Sequence, residues 1–170
     1  MLKMSPYAIL LGGKHPQALL ELHDLRFTLA SSSDEAFRNV ASLWFGDLAS
    51  SHVDAWVNLS SVDGYSACKK QDTESGKILC FVNVGSYLPG VFAENHHYFF
   101  LIASSLAEVK KRALLLLGKP DSLAHIDNAE SIDAIIQVDE IDSQKLYWKK
   151  EDTEKSLEIH TGYWPLKKYR

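Results

Sequence analysis

The chain has 170 residues, 46% of them hydrophobic, which suits one domain able to bury a continuous core without disulfides or a structural metal. Its formal net charge of −4 supplies no basic surplus to neutralise phosphates, so nucleic acid and membrane are excluded as expected partners. Two cysteines, Cys68 and Cys80, are too few for a disulfide framework and fit a reducing, cytoplasmic location.

Tyr7, Ala8, Ile9, Leu10 and Leu11 form a short apolar run, the pattern of a strand covered on both faces, and Gly12, Gly13 and Pro16 break it. The run is too short for a signal core or a membrane span. After a loop, Leu25, Phe27 and Leu29 alternate with Arg26, Thr28 and Ala30, predicting a second strand with one buried face. Ser32 and Glu35 make a capping box, and Phe37, Val40, Ala41 and Trp44 recur at helical spacing, predicting a helix over 33–45 that stops at Gly46. Val53, Ala55, Val57 and Leu59 give a third strand, Asp63-Gly64 its hairpin turn, and residues 65–71 the returning strand near a sheet edge.

A second version of this pattern follows. A constant shift of 73 residues carries Gly12 to Gly85, Pro16 to Pro89, Glu21 to Glu94, His23 to His96 and Phe27 to Phe100. Such self-similarity marks a duplicated unit. Ser105 and Glu108 repeat the capping box, while Gly118 and Pro120 end the second helix. A loop longer by six residues then brings Asp133 into the place of Asp54, and the charged turn of residues 69–74 recurs at 149–154.

Each unit reads β-loop-β-α-β-β, so the fold class is α+β: one domain over residues 1–170, with repeats at 7–71 and 78–150 and a C-terminal strand or cap at 151–170. The expected arrangement is a mixed sheet related internally by a pseudo-twofold axis, with the helices on one face. The last strand of the first unit should pair with residues 78–84. Residues 98–102, apolar on both faces, should place the second copy deeper in the sheet.

Shared positions such as Gly12/Gly85 and Ser32/Ser105 are explained as turns and caps. Glu-x-His is different. In extended chain the side chains at i and i+2 leave one face, so Glu21 with His23, and Glu94 with His96, can each converge. The pair reads as a clamp pinning the glycine loop, as an acid–base pair, or, if the two copies meet, as a weak candidate metal shell of Glu21, His23, Glu94 and His96; no cofactor is expected.

Where the copies differ, polar groups of the first give way largely to apolar ones: His15, Asp24, Arg26, His52, Trp56 and Gly64 become Leu88, His97, Phe99, Ser131, Ile135 and Ser143. A ligand pocket should therefore open on the first repeat, lined by Gly13, His15, Glu21, His23, Asp24, His52 and Trp56. Candidate catalytic groups are Glu21, His23, Asp24, His52 and Asp54, with His52 and Asp54 again two apart. No nucleophile elbow or phosphate-binding glycine loop accompanies them.

Leu11-Gly12-Gly13, Glu21-Leu22-His23-Asp24, His52-Val53-Asp54-Ala55-Trp56 and Val62-Asp63-Gly64-Tyr65 resemble the motifs of a small bacterial family defined only as a domain of unknown function, present in one or two copies per chain. The resemblance implies a cytoplasmic bacterial protein with two copies and brings no reaction. The expected function is a non-enzymatic binding or interaction module, its partner a small molecule or protein. The alternatives are a metal-dependent or acid–base hydrolase using Glu21, His23, Asp24 and His96, and a structural homodimer joined through aromatics such as Trp148 and Trp164.

Overall fold

The computed structural model describes residues 4–70, 76–117, 131–152 and 155–170. The first half runs β1 (Ser5–Gly13), β2 (Leu22–Ala30), α1 (Ser33–Val40), β3 (His52–Asn58), β4 (Ser61–Val62) and β5 (Tyr65–Ala67). The second runs β6 (Ile78–Tyr87), β7 (Glu94–Ala103), α2 (Leu106–Leu117), β8 (Ser131–Val138), β9 (Glu140–Ile141) and β10 (Gln144–Lys145). Then come β11 (Trp148–Lys150), β12 (Ile159–Pro165) and a 3-10 turn at Leu166–Lys168.

The α+β content is as expected, but the strands do not form one mixed sheet. All pairings among the described residues are antiparallel, in a four-stranded sheet β12-β3-β1-β2, a three-stranded sheet β7-β6-β8, a three-stranded sheet β11-β5-β4 and the hairpin β9-β10. Nor do both helices share a face. Along β1, Tyr7, Ile9 and Leu11 pack with Phe37 and Val40 of α1, while Ala8 turns the other way. Ala8, Leu29 and Val57 meet Leu79, Ile102 and Val138 of the second half in a shared core that also buries Trp148. Cys80, Val82 and Val84 of β6 pack outward against Val109, Ala113 and Leu117 of α2. The two large sheets thus face each other, with one helix covering each outer side. Burial pushes the Cys80 thiol up to about 11.

Three further expectations are corrected. The strand at β5 does not pair with β6, because β7 and β8 occupy both edges of β6; it pairs with β4 and β11 instead. The second half is not deeper, since β7 is an edge strand whose buried end is Leu101, Ile102 and Ala103, with Tyr98 exposed. Helix α1 ends at Val40; Trp44, beyond it, is held by its indole N–H donating to the Lys14 carbonyl at 3.2 Å. The expected helix stop at Gly118 and Pro120, and the six-residue insertion, fall outside the described residues. In the C-terminal segment β12 pairs with β3, at the edge of the four-stranded sheet.

Both helix starts are capped alike. Glu35 N–H donates to Ser32 Oγ at 3.3 Å, and the Glu35 carboxylate reaches back one residue further to accept from Ser31 N–H at 2.7 Å. Glu108 N–H donates to Ser105 Oγ at 3.2 Å, and Glu108 accepts from Ser104 N–H at 2.9 Å.

The halves are latched together by their small hairpins. Asp63 and Gly64 have φ of 54° and 76°, Asp142 and Ser143 of 50° and 61°, the left-handed pairs of a type I′ turn. Each turn aspartate crosses to the other half. Asp142 Oδ2 accepts from Leu29 N–H at 2.7 Å and Thr28 Oγ1 at 3.0 Å; Asp63 Oδ2 accepts from Ile102 N–H at 2.7 Å. Arg112 of α2 also binds Asp63 and donates to the Ile102 carbonyl at 2.9 Å, as Asn39 of α1 donates to the Leu29 carbonyl at 3.1 Å. The Asp63 hydrogen bond holds the Arg112 guanidinium above its ordinary range.

Asp142→Ala leaves the Leu29 N–H unpaired between the halves and should cost about 1–3 kcal/mol in urea unfolding. Asp63→Ala, which also strands Arg112, should cost more, and Asp142→Asn should recover part of the loss. Hydrogen bonds from Ser31 lower the Glu35 pKa below its ordinary 4.5. Because the folded value is depressed, that stabilisation is present above the unfolded pKa and is lost as pH falls through the folded one. Glu35→Gln should therefore flatten the acid limb of the stability–pH profile measured by urea unfolding.

Candidate functional site

The site is built on the face of the four-stranded sheet that looks toward the second half, at the Gly12 end. Gly12 lies between two partners, His23 on β2 and His52 on β3, and directly paired residues share a face. Glu21 precedes His23 by two positions and joins the same side. Asp54 arrives by a bulge: Leu10 pairs with Ala55 and Leu11 with Val53, so Asp54 is the extra residue. A bulge re-aims a side chain and strengthens the local twist. On the other edge of β3 the register shifts again, and Gly162 and Tyr163 lie between the pairs Thr161↔Ala55 and Trp164↔Val53.

Four ionisable groups converge. His52 Nε2 lies 3.3 Å from Glu21 Oε1 and 3.2 Å from Asp54 Oδ1; His23 Nε2 lies 3.2 Å from Asp54 Oδ2 and 3.7 Å from Glu21 Oε1. Despite that proximity, Asp54 Oδ2 is buried and makes no hydrogen bond of acceptable geometry. His52 is only 3% exposed, its Nδ1 is 2.9 Å from the Ser50 carbonyl, and its ring lies 4.4 Å from that of Tyr163. Glu21 at 44% and His23 at 49% form the open side. A Cβ on Gly12 would strike Asp54 Oδ2 and come within 2.7 Å of His52 Nε2. Glycine here is a requirement of close approach, since the cluster sits directly on the backbone.

The remaining expected residues are placed elsewhere. Asp24 pairs with Leu11 and so points to the helix side, where it binds Arg26 at 2.6 Å. Trp56, opposite Ile9, packs on the helix-side core and stacks on His160 at 3.9 Å. Gly13 makes room for Trp44, whose ring a Cβ would meet at 2.9 Å. His15 lines an open cleft of about 510 Å³ with Lys14, Leu19, Glu21 and Asp47, which adjoins the cluster through Glu21.

In the second half, Gly85 lies between His96 and Ser131, and Asp133 is the extra residue of the matching bulge. His96 is 3.8 Å from Glu94, 3.4 Å from Asp133 and 3.1 Å from Asn83. Ser131 stands where the first half has His52. The ion pairs of His23 and His96 each stay within their own half among the described residues. Of the four groups expected for a hydrolase, Glu21 and His23 are together, while Asp24 and His96 are not. Trp148 is 1% exposed and Trp164 packs on Phe37, so neither offers the exposed aromatic surface expected of a dimer contact. Sequence reasoning missed Gly12, Ser50 and Tyr163; the glycine was legible as a tight turn, but the β12 crossing that brings Tyr163 over His52 has no local signal.

Comparison with known proteins bears on the same segment. Residues 18–68 match the model of a family described as Domain of Unknown Function (DUF1543). The DUF1543 match takes in all four residues of the cluster. The whole chain is similar to the crystal structure of a protein Il1583 from Idiomarina loihiensis, at 25% identity and a TM-score of 0.71, over 96% of this chain and 98% of that one. No curated protein matches. Among the described residues, no helix is long and apolar enough to cross a membrane.

Gly12→Ala should destabilise the chain by about 1–3 kcal/mol, the scale of overpacking, because the His52 ring is enclosed and tied to Ser50. Gly85→Ala meets chiefly carboxylate ends of Glu94 and Asp133. Urea unfolding of the two variants should rank Gly12→Ala as the more damaging.

Proposed function

We propose that the chain is a cytoplasmic, non-enzymatic binding module made of two copies of one unit, residues 7–71 and 78–150, related by a pseudo-twofold axis. Only the first copy keeps the ligand site. Supporting the duplication are the pairing Gly12↔His23 against Gly85↔His96, the bulges at Asp54 and Asp133, and the crossed turn aspartates. The one-sided site rests on the convergence of Glu21, His23, His52 and Asp54 beside an open polar cleft, against Ser131 and Leu88 where the second copy would need His52 and His15.

The ligand that fits is small and polar. Carboxylates, two imidazoles and Lys14 can exchange hydrogen bonds with it, and the cleft leaves it exposed to solvent on one side. The buried His52 that helps orient it is held by the Ser50 carbonyl, so this part of the site is formed before binding. A protein side chain presenting the same groups is the second kind of occupant.

Thermal shift of the full chain against a panel of polar metabolites, comprising carboxylates, phosphates and amines, tests this reading. At least one compound should raise the melting temperature. Glu21→Gln and His15→Ala should abolish that shift, and Glu94→Gln should leave it unchanged. A panel with no stabilising member, or a shift abolished by Glu94→Gln, would overturn the assignment.

A further inference from the structure

The geometry points to a first-row divalent metal site, of the zinc class, formed by Glu21, His52 and Asp54, with His23 positioning Asp54 through its second oxygen. The inference deepens the reading of the first half as the ligand site and rests on it.

The distances between the four side chains carry the argument. Direct charge-assisted hydrogen bonds between imidazolium and carboxylate run about 2.7–2.9 Å. The four contacts here are 3.2, 3.2, 3.3 and 3.7 Å, longer than that in every case. A tetrahedral metal with bonds of about 2.0–2.1 Å separates its ligands by about 3.3–3.4 Å along each edge. Two edges, His52 Nε2 to Glu21 Oε1 at 3.3 Å and to Asp54 Oδ1 at 3.2 Å, fall around that value, and the donor atoms of these three residues all lie within 4.8 Å of one another; His23 meets the second oxygen of Asp54, Oδ2, at 3.2 Å.

His52 supplies the second observation. Its Nδ1 faces the Ser50 carbonyl, which can only accept, so that nitrogen carries the proton and fixes the tautomer. Its Nε2 faces two carboxylate oxygens, of Glu21 and Asp54, 3.3 and 3.2 Å away. This side chain is 97% buried by the 3% exposure noted above. This is the arrangement of a metal-bound histidine, which commonly donates its other nitrogen to a carbonyl. Gly12 leaves the floor of the site open where any Cβ would intrude.

The donor set decides the class. One buried imidazole and two carboxylates, without thiolate, suit zinc and its first-row neighbours better than calcium or magnesium, which take all-oxygen shells. Glu21 and His23 are about half exposed, so the ion has a way in. In the second half Ser131 stands in place of the buried histidine, leaving no enclosed imidazole.

The test uses the full chain, stripped with chelator and titrated with ZnCl2 by calorimetry and with CoCl2 by visible absorption. Wild type should bind about one equivalent of zinc and give the intense visible bands of tetrahedral cobalt. His23→Gln, on the open side, should weaken zinc binding tenfold or more, and His52→Gln should abolish it. His96→Gln should bind as wild type does. Circular dichroism and urea unfolding establish that each variant is folded; His23→Gln keeps the test decisive if His52→Gln is not. Absence of both zinc heat and cobalt bands in wild type overturns the proposal, as does unaltered zinc binding by His23→Gln or loss of binding in His96→Gln. A zinc-silent protein that still binds a polar metabolite through Glu21 would sink the metal and leave the ligand site standing. Zinc binding with a silent metabolite panel would do the reverse.

Discussion

Two aspartates, each in the turn of one half and each hydrogen-bonded to a strand of the other, hold the sheets face to face. Asp63 binds the Ile102 amide and Asp142 the Leu29 amide, both at 2.7 Å. These amides sit where β2 and β7 run into their helices, at the most buried ends of both strands. An unpaired N–H there would carry the full cost of its desolvation. The crossed bonds therefore do more than join two finished halves. They complete the hydrogen bonding of each half with a group from the other, so neither inner sheet face closes alone. The left-handed backbone of Asp142 and Ser143, unusual without glycine, persists because the side chain of Asp142 is anchored across the interface.

That anchoring has a consequence at the opposite ends of the sheets. Apolar residues of the shared core, such as Ala8, Leu29, Leu79 and Ile102, cluster toward the latched ends, while Gly12 and Gly85 lie at the far ends of β1 and β6. Polar groups accumulate there, with Glu21 and His23 open to water. The bulge at Asp54 uses this freedom. It breaks the alternation of β3 so that Val53 still packs on the helix side, while Asp54 and Ala55 both turn inward.

How much of this could be read from residues alone differs by level. Strand alternation in residues 25–30, the capping serines and the Asp63-Gly64 turn are local signals, and each marks its element. Pairing of non-adjacent strands is not local, which is why β5 finds β11 and β4 while the adjacent β6 has no free edge. Of the site, Glu21 and His23 are visible as an i, i+2 pair, and so are His52 and Asp54. That these two pairs meet over one glycine depends on β1 lying between β2 and β3, a fact of topology. The same alternation places Asp24 and Trp56 on the wrong face, although sequence neighbourhood groups them with the site. Comparison of the two halves isolates His52, because Ser131 stands in the corresponding place, but carries no hint that Tyr163 would cover its ring.

The asymmetry between the halves follows from a division of constraints. Turn aspartates, capping serines, the floor glycines and the bulged aspartates occur in both, since packing and closure need them in both. His52 occurs only in the first, where β12 adds a fourth strand beside β3 and brings Tyr163 against its ring. On the corresponding side of β8 no strand pairs among the described residues. The Glu94 and Asp133 carboxylates of the second half have no such added strand beside them among the described residues. Enclosure by β12 is therefore what gives the first half's histidine its low-dielectric surroundings, and it sets apart two otherwise corresponding glycine floors.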